Sequence, residues 1–179
     1  MSDRPSRHHP PATVQAACAL AMGWLAGRDL SAAEIRRRLH RQGCPDDVIK
    51  RAIEYLKGMR AIDDERVAMS RARIESASRG RGRARVLLRL RSIGIDAETA
   101  RKAVDAVFEE VDETGLLDRA LERRLKGVEG IIRTPAEFRR VYDALLRQGF
   151  PPSDVRRALD RRMRHPGLWH DVDDEPHEP

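Results

Sequence analysis

Eight arginines fall between residues 71 and 91, a stretch in which Glu75 is the one acidic residue. They are Arg71, Arg73, Arg79, Arg81, Arg83, Arg85, Arg89 and Arg91. Guanidinium groups bind phosphates and carboxylates through paired N–H donors, so this run predicts a site for a polyanion or for an acidic protein surface. We expect Arg79, Arg81, Arg83, Arg85 and Arg89 to make the contacts. The alternative is a solvated, arginine-rich helix face.

Three pairs of basic residues recur at one spacing, seven and eight residues after a glycine. The pairs are Lys50 and Arg51, Arg101 and Lys102, and Arg156 and Arg157, counted from Gly43, Gly94 and Gly149. An alanine and then an aliphatic residue follow each pair, which places the pair toward solvent on a helix. Such positions suit phosphate contacts, which orient a protein without reading bases. The alternatives are surface residues that only increase solubility, or simple shared ancestry of a repeat.

Residue types suited to catalysis or metal binding do not form a motif. The acidic residues between 105 and 122 are expected to form a solvated face or to pair with the arginines: Asp105, Glu109, Glu110, Asp112, Glu113, Asp118 and Glu122. The sequence contains no HExxH, no Cys/His ligand spacing and no Gly-x-x-x-x-Gly-Lys-Ser/Thr loop. We therefore predict a protein that is not an enzyme and that needs no cofactor and no metal.

The glycines before the basic pairs belong to a repeated pattern, Leu-x-x-x-Gly-apolar, which must position those charges. Its copies begin at Leu39, Leu90 and Leu145. A recurring period of this length indicates one supersecondary unit used three times. Each glycine is expected to end a helix in the left-handed conformation, and a further helix is expected to follow it.

Capping residues predict where these helices begin. Ser31 with Glu34 forms a capping box, and Thr134-Pro135-Ala136-Glu137 supplies a second start signal. Asp46, Asp96 and Ser153 are expected to cap the helices that follow the glycines. Nine helices result, in an all-α fold of three tandem three-helix repeats that is elongated or curved. The expected bounds are 12–62, 63–113 and 114–164, with a disordered segment at 1–11 and an acidic, disordered tail at 165–179.

Composition favours a soluble, helical protein with a basic surface. The chain has 35 Lys and Arg against 29 Asp and Glu, a formal charge of +6, and only 4% aromatic residues. Cys18 and Cys44 lack a CxxC spacing and are expected to be reduced thiols, Cys44 within a core. Trp24 is expected in a core, and Trp169 is expected either to hold the tail or to contact a partner. Without an apolar span or a secretory signal, the chain is expected to be cytoplasmic.

Several stretches resemble the RecX family of RecA regulators. Ala61-Ile-Asp-Asp-Glu-Arg-Val-Ala68 is followed by Ser78-Arg-Gly-Arg-Gly-Arg83 and by Leu90-Arg-Ser-Ile-Gly-Ile95, and Ser31-Ala-Ala-Glu-Ile-Arg-Arg-Arg-Leu39 resembles the first unit of the family. The resemblance is specific in the first two units and weaker in the third. The chain departs from the family at Val67, where an aromatic residue is usual, and at Arg83, where a proline is frequent.

The resemblance implies tandem three-helix repeats that lie along the groove of the RecA filament on single-stranded DNA. It further implies inhibition of the ATPase, strand-exchange and coprotease activities of RecA, and hence modulation of recombination, DNA repair and the SOS response. Some members of the family also bind DNA directly. We expect a monomer whose arginines at 79–91 and three basic pairs contact RecA, filament DNA or both. The alternative is a freestanding helical DNA-binding protein that acts without RecA.

Overall fold

The computed structural model describes residues 11–126 and 131–163, and within these ranges the chain folds into nine α-helices. They are α1 Val14–Leu25, α2 Ala32–Arg41, α3 Asp46–Gly58, α4 Asp64–Arg73, α5 Arg83–Ser92, α6 Ala97–Glu109, α7 Glu113–Leu125, α8 Pro135–Arg147 and α9 Pro152–Asp160. A π-helical turn, Ile74–Ser78, follows α4 directly, and one isolated β-bridge joins Ile132 to Met163. The prediction of an all-α fold is confirmed. No helix in the described part of the chain is both long and apolar enough to cross a membrane.

The repeated pattern Leu-x-x-x-Gly-apolar forms the same helix ending three times. Gly43, Gly94 and Gly149 have φ values of +75°, +89° and +91°. The residue after each glycine donates its backbone N–H to the carbonyl of the leucine, with N···O distances of 3.2, 3.1 and 3.4 Å. The backbone N–H of each glycine donates to the carbonyl of the residue after the leucine, which completes a Schellman motif. The leucine and the apolar residue are buried in all three copies, because this motif brings them into contact.

The helices after the glycines begin at one position in the repeat, whichever residue occupies it. Asp96, two residues after its glycine, accepts hydrogen bonds from the backbone N–H groups of Glu98 and Thr99 and caps α6 as predicted. The residues at the equivalent position are Pro45 and Pro151, which precede α3 and α9 and make no side-chain cap. The predictions that Asp46 and Ser153 cap these helices are therefore wrong, since both residues lie inside the first turn.

The described residues form two compact units. The first contains the residues up to Arg71 together with Arg89–Ala103, and the second contains Ala72–Leu88 together with the residues from Val104. In the first unit, α1, α2 and α3 pack around one apolar core. In the second, α7, α8 and α9 pack on one another. Helices α4, α5 and α6 contribute residues to both units, and the predicted bounds of the three repeats remain a prediction.

Several predicted core residues can be located in the first unit. Cys44 is buried as expected, and Trp24 is half-buried against the core with the Arg38 guanidinium 5.5 Å from its ring centre. Cys18 and Cys44 are both free thiols, and burial raises the pKa of each. The predicted disordered ends, 1–11 and 165–179, lie outside the described residues except for Pro11, as does Trp169.

Candidate polyanion-binding site

Two arginines of the run form hydrogen bonds with a buried carboxylate. Glu75 lies in the π-helical turn after α4, and its side chain is 2% exposed. Its Oε1 accepts a hydrogen bond of 2.9 Å from Arg79, and its Oε2 accepts a second one from Arg81. A buried carboxylate requires such partners, because an unpaired buried charge is costly. Two of the predicted contact residues therefore also hold the loop that carries them.

Arg83 has an internal role at the start of α5. Its guanidinium lies 2.5 Å from an Asp105 carboxylate oxygen, 3.2 Å from one of Glu113, and 5.1 Å from the centre of the Phe108 ring. Two carboxylates more than balance its charge. The structure thus places Arg83 in a bridge between α5, α6 and α7, although the sequence predicts it to be a polyanion contact.

An open cleft of about 430 Å³ gathers five arginines within the second unit. The residues that line this arginine-lined cleft are Arg79, Arg81, Arg85, Arg124, Ala144, Arg147 and Gln148. Arg85, Arg124 and Arg147 are exposed, and the Arg79 and Arg81 side chains are 51% and 27% exposed. Guanidinium groups that share one open depression favour an anion with several phosphates or carboxylates.

The cleft contains two arginines that are not among the predicted contact residues. Arg124 belongs to the end of α7 and Arg147 to the end of α8, far along the chain from the arginine run. Basic residues at helix C-termini interact favourably with the helix dipole, and this preference is the sequence signal that could have found them. The structure brings them together with Arg79, Arg81 and Arg85. Arg89 belongs instead to the first unit, where its guanidinium lies 3.4 Å from Ser92 Oγ.

The three basic pairs lie on α3, α6 and α9, one on each helix that follows a glycine turn. All six residues are exposed except Arg156, which is half-buried. One member of each pair forms an ion pair with an acidic residue one helical turn earlier: Arg51 with Asp47, Lys102 with Glu98, and Arg157 with Asp154. Exposed pairs of this kind contribute little to stability, so a bound polyanion can replace the acidic partner at little cost.

The contact between Lys102 and Glu98 shifts the pKa of both groups. The hydrogen bond from Lys102 lowers the pKa of Glu98, and the same bond raises the pKa of Lys102. Both groups therefore keep their charge over a wider pH range than they would alone.

Acidic residues between 105 and 122 pair with arginines, as the sequence predicts. Asp105 and Glu113 hold Arg83, while Asp118 lies 3.4 Å from Arg161 and Glu122 lies 3.6 Å from Arg162. These carboxylates link the helices of the second unit. Among the described residues, no group of three or more His, Cys, Asp or Glu side chains could hold a metal ion.

Comparison with known proteins identifies the family of this chain. Residues 17–56, which reach from α1 into α3, match the family model described as RecX, first three-helix domain. A regulatory protein RecX from Syntrophotalea carbinolica is 32% identical over 130 residues, which cover 73% of this chain and 85% of that protein. The chain belongs to the RecX family. A RecX protein from Treponema pallidum is 30% identical over 149 residues, which cover 83% of this chain and 78% of the relative.

Solved RecX structures share the fold. The crystal structure of RecX from Lactobacillus salivarius matches with a TM-score of 0.70 and 18% identity, over 83% of this chain and 95% of that protein. At this identity, the match supports the all-α architecture rather than any particular contact. The family model names a three-helix domain, and its match includes the packed helices α1, α2 and α3.

Proposed function

We propose that this chain is a non-enzymatic negative regulator of RecA. It binds RecA and its nucleoprotein filament on single-stranded DNA, and it inhibits the ATPase, strand-exchange and coprotease activities of RecA. Its relatives are named regulatory proteins RecX, which supports a regulatory role. The observation that carries the proposal is the arginine-lined cleft in a chain of this family.

The cleft provides two kinds of arginine. Arg79 and Arg81 are held by Glu75, so their positions are fixed before binding. Arg85, Arg124 and Arg147 lie at the surface, where their side chains adapt to a ligand. A prearranged pair reduces the entropic cost of binding, and the surface arginines add charge-assisted hydrogen bonds to phosphates or carboxylates.

The three basic pairs supply further, weaker contacts. A filament presents equivalent protomers and phosphates at regular intervals, and the pairs occupy equivalent helices of this chain. Contacts that are weak singly add through effective concentration once the first has formed. Through the filament, the protein modulates recombination, DNA repair and the SOS response, and it acts as a monomer in the cytoplasm.

Charge reversal within the cleft tests the proposal. The variant carries Arg85→Glu, Arg124→Glu and Arg147→Glu. We expect the concentration of this protein that half-inhibits RecA ATPase to rise about tenfold or more. The protein concentration needed for half-maximal co-sedimentation with filaments should rise in the same way. Arg81 and Arg83 are left unchanged, because a glutamate there would face Glu75 or Asp105 and Glu113.

The matched control reverses three exposed arginines of the first repeat, Arg28, Arg36 and Arg41. This variant has the same net charge as the cleft variant, so weaker inhibition by the cleft variant alone assigns the effect to the site. Equal inhibition by both variants, with both folded, would contradict the proposed site.

A freestanding DNA-binding protein is the second candidate, and the basic pairs on the helices after each turn favour it. In that case the chain binds duplex DNA tightly without RecA. The logarithm of its association constant then falls with the logarithm of the salt concentration, with a slope of about −0.9 for each phosphate neutralised. Weak binding to bare DNA together with strong inhibition of RecA would exclude this candidate.

A further inference from the structure

The middle helix of each repeat begins in the same way. The residues just before α2, α5 and α8 are Ser31, Gly82 and Thr134. An alanine stands two positions later in every copy, at Ala33, Ala84 and Ala136, and a buried apolar residue stands two positions after that, at Ile35, Val86 and Phe138. The three first turns are therefore equivalent positions of one repeated element.

Two of these three helix starts contact the glycine turn of the next repeat. Ser31 Oγ donates a hydrogen bond of 2.6 Å to the carbonyl of Ile93, and Arg37 donates one of 3.2 Å to the same oxygen. Gly82 donates its backbone N–H to the carbonyl of Gln148 at 2.9 Å. In both cases the residue before the helix is a donor, and the acceptor is the carbonyl just before the glycine. We call this arrangement the joint.

The joint has a simple physical basis. The first backbone N–H groups of a helix and the last carbonyls of another lack partners within their own helices, and their dipoles attract. The glycine permits close approach, since a Cβ at Gly94 would overlap Ala33, and one at Gly149 would overlap the backbone of Arg85. Ser31 is completely buried as a result.

Among the described residues, the first glycine turn and the last helix start of the series take part in no such joint. At one end, the start of α8 presents exposed Thr134, Pro135 and Ala136. Thr134 Oγ accepts from the Glu137 backbone N–H, as Ser31 Oγ does from Glu34, and Arg140 occupies the position of Arg37. At the other end, Gly43 has the left-handed conformation of the turns already in joints, and Gln42 stands where Gln148 stands in the third turn.

We propose that the start of α8 binds the Gly43 turn of a second copy of this chain, forming a head-to-tail joint. The occupant follows from the molecule itself, since the same kind of helix start takes the same kind of turn twice within one chain. A head-to-tail contact uses two different surfaces of the chain, so it links copies into a ring or an open row. One such contact is far smaller than a stable interface, so free chains remain monomeric and the joint forms where copies are concentrated or aligned.

Photo-crosslinking of the full-length chain tests the joint. Benzoylphenylalanine at Arg140, the counterpart of Arg37, should crosslink to residues 39–44 of a second copy at about 1 mM, a concentration typical of short tethers. Mixing chains of normal and heavy isotope composition separates crosslinks between copies from those within one. Ala136→Arg should reduce this product about tenfold, because the side chain fills the space that the turn requires.

The matched control is Ala106→Arg, at an exposed alanine of α6, which should leave the crosslink unchanged. The proposal is overturned by a crosslink that maps elsewhere, such as the chain's own residues 164–179, by one that is insensitive to Ala136→Arg, or by none at all. Because these measurements contain no RecA and no DNA, they are independent of the proposed regulatory function.

Discussion

Glu75 determines how the neighbouring arginines are used. Its carboxylate is withdrawn from water, and each oxygen accepts a hydrogen bond from a different guanidinium, those of Arg79 and Arg81. The Arg81 backbone N–H also donates to the Glu75 carbonyl, at 3.1 Å. One acidic residue thus fixes both the side chains and the backbone of the loop that leads into α5. The loop in turn places Gly82 in its joint.

We expect Glu75→Gln to lower the free energy of unfolding by about 1–3 kcal/mol, because the amide keeps one acceptor but cannot accept two charge-assisted hydrogen bonds. Chemical denaturation followed by circular dichroism measures this change. Glu54→Gln, at an exposed position of α3, is the control and should change stability by less than about 0.5 kcal/mol. Equal stability of the two variants would show that Glu75 is not a structural anchor.

At the scale of single residues, the sequence predicts local chemistry better than it predicts partners. The left-handed glycines and the burial of Cys44 follow from short patterns in which each residue type has one favoured position. The partners of Arg83 could not be assigned in this way. Asp105 and Glu113 lie 22 and 30 residues away, so only tertiary packing brings them to the guanidinium.

The helix ends show that the register of the repeat outweighs local preference. Asp46 is a favoured capping residue, yet α3 begins directly after Pro45. Pro45 is two residues beyond the glycine, and the residue at that position precedes the first helical residue in each of these helices. The Schellman motif fixes the path of the chain through the leucine and the apolar residue, and the next helix must start from there. Capping rules predict the starts of α2, α6 and α8 correctly and misplace the starts of α3 and α9 by one or two residues.

Two glycine substitutions distinguish the contribution of the joint to stability from the general effect of alanine on helix stability. Gly94→Ala should destabilise the protein by more than about 2 kcal/mol, because a left-handed alanine costs about 1–2 kcal/mol and its Cβ also overlaps Ala33. Gly23→Ala, inside α1 with open space around its Cβ, should stabilise it by about 0.5–1 kcal/mol. Thermal unfolding of both variants provides the comparison, and a neutral Gly94→Ala would refute the close approach at the joint.

At the scale of the whole molecule, repetition distributes the binding groups. The three basic pairs occupy α3, α6 and α9, and the arginine-lined cleft lies within the second unit. The period in the sequence predicts the solvent exposure of the pairs correctly for five of the six residues, and Arg156 is half-buried. The period does not predict the cleft, because Arg124 of α7 lies outside the repeated pattern and Arg147 of α8, although within it, meets the other arginines only through tertiary packing.

Neutralising the pairs tests whether they bind phosphates. The variants are Lys50→Gln with Arg51→Gln, Arg101→Gln with Lys102→Gln, and Arg156→Gln with Arg157→Gln. Each should weaken binding to RecA–single-stranded-DNA filaments and reduce the slope of log K against log salt by about 0.7 for every phosphate that the variant no longer neutralises. Fluorescence anisotropy over a salt series gives the slope.

Neutralising Arg28 and Arg36, which are exposed in the first repeat, removes the same charge from another place and should leave the slope nearly unchanged. If the pair variants and this control give the same slope, the pairs are a solubilising surface. If only one of the pair variants reduces the slope, the three repeats are not equivalent in binding.

The joint also bears on how such a chain can change in length during evolution. Each repeat carries a helix start and a glycine turn, so duplication of one whole repeat adds a complete donor and a complete acceptor together. An inserted fragment of another length would leave one of them without a partner. Recombination between equivalent helix starts, such as those at Ser31, Gly82 and Thr134, would therefore give shorter or longer proteins with matching numbers of helix starts and glycine turns.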